Sequence, residues 1–97
     1  MIMSRLGSHR SESALNARRN GLRIMFGSMV QDRREVIQRS VEDCARLAGM
    51  ESSEWAAVEA GHIPADPAKL RSIAAALEIR FDQLLMMVHL CQDAWAE

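Results

Sequence analysis

Three side-chain chemistries stand out in this 97-residue chain: imidazole at His9, His62 and His89, thiol at Cys44 and Cys91, and hydroxyl beside carboxylate in Ser52, Ser53 and Glu54. None is arranged for catalysis. Structural zinc needs Cys and His at short, fixed spacings, and here the three His are isolated and the two Cys lie far apart. No metal site and no cofactor is expected. A Ser nucleophile needs a base within hydrogen-bond reach, and no base can be placed near Ser52 or Ser53. No glycine-rich phosphate loop is present. The chain reads as a non-enzyme. Without a secretory signature, its two Cys read as reduced thiols of a cytoplasmic protein. Cys44 falls in a core slot, where thiol packing outweighs thiol chemistry.

Arginine remains. Residues 1–23 carry Arg5, Arg10, Arg18, Arg19 and Arg23 against Glu12 alone, a net of +4. Residues 24–97 carry seven basic and twelve acidic side chains, a net of −5. The chain is a basic arm on an acidic body, and clustered Arg is what phosphate recognition uses. Against this stands "MESSEWAAVEAG" (50–61), with Glu51, Glu54 and Glu59 and no Lys or Arg.

The elements that position these groups are helices. Hydrophobic residues make up 48% of the chain, mostly Ala, Leu, Met, Ile and Val, with no Tyr and few Gly or Pro, a mix that favours helix over strand. No apolar run is long enough to span a membrane, and no apolar leader core begins the chain. Residues 1–23 are expected to form a flexible arm, any short helix after Ser11 stopping at Asn20–Gly21. From Ile24, the residues Met25, Phe26, Met29, Val30, Arg33, Val36 and Ile37 follow helical spacing. Ser40 caps a second helix, 41–47, with Asp43 in its first turn and Cys44, Leu47 and Ala48 turned inward. Gly49 ends it. Trp55 and Val58 stripe a third helix that Gly61 stops. Asp66–Pro67 starts a fourth, burying Leu70, Ile73, Ala74 and Leu77. The last runs from about Phe81 to Ala94 and is apolar nearly all round, so it needs a second surface to bury against.

In that order, "FGSMVQDRRE", "SVEDCARLAG", "MESSEWAAVEAG" and "PAKLRSIAAALEIRFDQLL" carry a resemblance. Residues 26–85 resemble, without gaps, the Xre-type helix-turn-helix domain of the phage lambda repressor and Cro class. The resemblance implies an all-α, five-helix lambda-repressor-like DNA-binding domain, with the helix-turn-helix at 41–60. It implies an ion pair between Arg34 and Glu59, which takes Glu59 off the DNA-facing surface, and core places for Trp55 and Val58. It puts base readers at Ser52, Ser53, Ala56 and Ala57, with Val41 at the start of the preceding helix. Ser can serve several bases and Ala can touch a thymine methyl, whereas the family's usual Gln, Arg or Asn readers are absent. Phosphate contacts fall to Arg39, His62 and the arm residues Arg18, Arg19 and Arg23. The serine that usually caps the recognition helix is Glu51 here, so Ser52 or Ser53 is expected to cap it late. Glu78 stands where the family has a glycine.

The resulting expectation has two parts: a flexible basic arm over 1–23, and a helix-turn-helix domain over 24–97 whose C-terminal helix forms a homodimer through Leu84, Met87, Val88, Cys91 and Trp95. Its function is that of a small transcriptional repressor on a double-stranded DNA operator. The alternative is a helix-turn-helix module that no longer binds DNA, its acidic face docking on another regulatory protein as an antiactivator or DNA mimic.

Overall fold

The computed structural model describes residues 2–91, with side chains from residue 16 onward. The described chain is all-α: α1 (Ile2–Val36), α2 (Val41–Leu47), α3 (Ser52–Glu59), α4 (Pro67–Ala76) and α5 (Phe81–Leu90). Trp95 and the expected end of the last helix lie outside the described residues.

The helix starts follow local chemistry. Ser40 Oγ accepts from the Asp43 amide at 3.0 Å to cap α2, and Asp66 Oδ1 accepts from the Ala68 amide at 2.9 Å ahead of Pro67. Each satisfies a backbone donor that the first turn leaves over. At α3 the expected serine cap gives way to Glu51, whose extended backbone is the N-cap. Its amide donates to Glu54 Oε1 at 3.4 Å, the carboxylate half of a capping box.

The helix ends share one motif. In each of α1 to α4 a residue at positive φ follows the helix: Gln38 (56°), Gly49 (69°), Gly61 (115°) and Glu78 (58°). The next amide reaches back to a carbonyl of the last turn: Arg39 to Arg34, Met50 to Ala45, His62 to Ala57 and Ile79 to Ala74, at 2.9–3.1 Å. These are Schellman closures. Asn20–Gly21 stops nothing. Neither residue has positive φ, and α1 runs through both, so the break expected at the base of the arm is absent. A glycine inside a helix costs only about 1 kcal/mol and does not force a break.

The core is Phe26 and Val30 of α1, Cys44 and Ala45 of α2, Trp55 and Val58 of α3, Leu70, Ile73, Ala74 and Ala76 of α4, and Leu84 and Val88 of α5, closed by Leu77 and Cys91. Leu47, expected inside, is exposed, as is Val36; Ala45 takes the inward place on α2. Arg33, which shares the apolar stripe of α1, donates to the Leu77 and Glu78 carbonyls at 2.9 and 3.0 Å. Arg39 donates to the Ala76 carbonyl at 2.7 Å and to Glu78 Oε2 at 2.8 Å. Two arginines thus close the C-terminal end of α4, where leftover carbonyls and the helix dipole favour cations.

Candidate nucleic-acid interface

α2 and α3 are joined by the short turn 48–51, and α3 is pinned to α1 from behind. A Cβ on Gly27 would stand 2.2 Å from the Glu59 carbonyl oxygen, so only glycine lets the two backbones approach this closely. Two turns further along α1, Arg34 holds Glu59 with both arms of its guanidinium, Nε to Oε2 at 2.6 Å and Nη2 to Oε1 at 3.2 Å. Trp55 Nε1 donates to the same Oε2 at 2.6 Å, and Arg34 Nη1 reaches the Arg39 carbonyl at 3.0 Å. The pair is only 14% and 11% exposed, and the Glu59 carboxylate raises the Arg34 pKa further above its usual value. Two parallel N–H···O bonds fix orientation as well as distance. Glu59 is therefore internal structure and orients α3.

With Trp55 and Val58 buried, helical periodicity turns Ser52, Ser53, Ala56 and Ala57 outward, and all four are exposed. They form a smooth face of hydroxyls and methyls. Val41 does not join it as an open reader; it is half-buried against the core. Arg39 is spent on the end of α4 and is corrected from phosphate contact to structural clamp. His62, exposed in the turn after α3, lies beside α1: Asn20, Arg23 and Ile24 line one cleft of about 590 Å³ with residues 60–63. The Arg23 backbone would be 3.1 Å from a Cβ on Gly61. Arg23 and His62 are therefore neighbours at the C-terminal end of α3. Arg18 is exposed and Arg19 partly so, one turn nearer the start of α1.

The acidic residues are less uniform than the sequence implies. Glu54 is not an open charge: Lys69 Nζ of α4 donates to its Oε2 at 2.7 Å. Lys69, and secondarily the Glu51 amide, hold the Glu54 carboxyl below its ordinary pKa, and Glu54 in turn raises that of Lys69. Asp43 is likewise lowered by Arg46 at 3.0 Å. Lys69 escaped the sequence reading because fifteen residues separate it from Glu54, and no periodicity links a residue of α4 to the flank of α3.

The expected interface residues of the last helix divide. Leu84, Val88 and Cys91 are buried inside this chain, packed with α1 and α4, and are corrected from dimer contacts to core. Met87 is half-buried. The outward apolar side of α5 is Met86 and Leu90, 66% and 63% exposed, over a groove with Met29, Ile79 and Met87 of about 410 Å³. Among the described residues no helix is long and apolar enough to cross a membrane, and no three His, Cys, Asp or Glu are grouped to hold a metal ion. Compared with known proteins, the chain matches no family model, no curated protein and no solved structure.

Proposed function

We propose that this chain is a small DNA-binding transcriptional regulator, a repressor of the Xre helix-turn-helix type, with α2 and α3 as the helix-turn-helix and α3 lying in the major groove. The observation that carries the reading is the state of the three carboxylates on and beside α3. Glu59 is bound internally by Arg34 and Trp55, Glu54 is paired with Lys69, and Glu51 alone is left at the N-cap. The outward face is then Ser52, Ser53, Ala56 and Ala57, small enough for a close approach to base edges. Serine offers hydrogen bonds to several bases and alanine a contact for thymine methyls, so discrimination per base pair is modest. His62 and Arg23 supply cationic or donor groups at one end of α3, with Arg18 and Arg19 continuing along α1 toward the DNA backbone.

A homodimer belongs to this reading, because helix-turn-helix proteins engage half-sites about one DNA turn apart. The revised contact is the Met86, Leu90, Met29, Ile79 and Met87 surface. The competing reading, a protein-binding antiactivator or DNA mimic, draws support from exposed Glu42, Asp43 and Glu51 and from the lack of any cation on α3.

The test is binding to mixed genomic DNA fragments over a salt series, using the full chain and a variant with Arg18, Arg19 and Arg23 changed to Gln. Binding that weakens steeply with salt, and a shallower slope for the variant, is expected. No binding even at low salt overturns the DNA reading and favours the competing one.

A further inference from the structure

We infer that Glu54 is an internal competitor for the phosphate backbone, occupying Lys69 of α4, a cation on the flank of α3, which has none of its own. This rests on the DNA-binding reading above. Glu54 sits one turn before Ala57 on the flank of the outward face. It shares a depression with Ala57, His62, Pro64 and Lys69. A strand following that flank brings phosphate oxygens to the side of α3 where the carboxylate now meets Lys69 Nζ at 2.7 Å. Carboxylate and phosphate present the same chemistry to an ammonium: anionic oxygens at hydrogen-bond distance.

The pair is built to exchange. Its side chains are 50% and 45% exposed for Lys69 and Glu54, and an exposed ion pair is weakly held. Glu54 is also tethered by the Glu51 amide through its other oxygen, so it stays in place when Lys69 turns to a phosphate. Each phosphate contact made by Lys69 then leaves a fixed negative charge beside the DNA. The arrangement lowers affinity for DNA of any sequence and leaves the Ser and Ala readers to decide where the protein stays bound.

The experiment is a double-mutant cycle on the full chain: wild type, Glu54→Gln, Lys69→Gln and the double variant. Binding to a fluorescein-labelled random-sequence duplex of about thirty base pairs is measured over a salt series, with a thermal melt of each variant as folding control. Glutamine keeps an oxygen for the Glu51 amide, so the helix start survives. Glu54→Gln is expected to bind about tenfold more tightly with a salt slope steeper by about one unit. Lys69→Gln should largely abolish that gain in the double variant. Equal gains from Glu54→Gln with and without Lys69 would mean net charge alone and would overturn the competition, leaving the DNA reading intact. Unchanged binding by Glu54→Gln beside a wild type that binds would overturn it too. If neither wild type nor Glu54→Gln binds at low salt, both readings fall.

Discussion

At the residue scale, Gly27 and Glu59 decide how α3 is presented. The Gly27 position has no room for a methyl group, since the nearest atom is a backbone carbonyl that cannot rotate away. Gly27→Ala should cost about 1–3 kcal/mol or more in denaturant unfolding; an unchanged midpoint would refute the close approach. Glu59→Gln removes the charge that holds Arg34 and Trp55, and stranding a largely buried guanidinium should cost about 3 kcal/mol. Glu54 gives a pH-dependent signature. Its carboxyl is held below the ordinary 4.5 by Lys69, so the pair's contribution is present above that pH and is lost as pH falls through the lower native value. Carbon-detected NMR titration should show the Glu54 midpoint rising toward 4.5 in Lys69→Met; no movement would show that the two side chains do not meet in solution. Glu59, Trp55 and the outward Ser and Ala positions could be placed from sequence, because they follow from helical spacing and from the helix-turn-helix pattern that the sequence resembles. The Glu54–Lys69 and Arg39–Glu78 pairs could not, because each joins elements whose separation in sequence carries no information about distance.

At the element scale, the four helix ends show where local signals stop. Gly49 and Gly61 announce left-handed closures, whereas Gln38 and Glu78 adopt the same conformation with ordinary side chains. A left-handed φ costs a non-glycine residue roughly 1 kcal/mol. The Arg39–Glu78 pair, with Glu78 more than half exposed, returns less than about 1 kcal/mol. Glu78→Gly is therefore expected to stabilise the fold by a few tenths to about 1 kcal/mol, and Gly49→Ala to destabilise it by about 1 kcal/mol. Chemical unfolding of the two variants checks both signs, and a destabilised Glu78→Gly would mean that the Arg39 contact outweighs backbone strain.

At the scale of the whole molecule, α1 sets the dimensions. Its 35 residues at 1.5 Å each give about 52 Å, matching a long axis of 55 Å beside 22 and 21 Å across. The radius of gyration, 16.0 Å, exceeds the roughly 13 Å of a compact chain of this length, because α1 extends past the bundle. The proposed dimer has its own test. Sedimentation at tens of micromolar protein should show a dimer that Met86→Glu with Leu90→Glu converts to a monomer without lowering the melting temperature, since both side chains already face solvent. A monomeric wild type would remove the dimer from the proposal. Cys44 and Cys91 report on the bundle itself: burial pushes both thiols up, so the native chain should resist alkylation at mildly alkaline pH and react only as it unfolds.

The sequence by itself determined the helical class, four of the helix starts to within a residue or two, and most of the core, because capping chemistry and apolar periodicity act over three or four residues. It also placed the smooth Ser and Ala face of α3. Only the tertiary structure decided which charges are available. Arg39, expected at a phosphate, is bound to the end of α4; Glu54, one of three carboxylates in 50–61, is bound to Lys69; and Leu84, Val88 and Cys91, expected at a dimer interface, fill the chain's own interior. Those outcomes depend on which surfaces the packing of α1, α4 and α5 brings together, and charge and burial are properties of that packing.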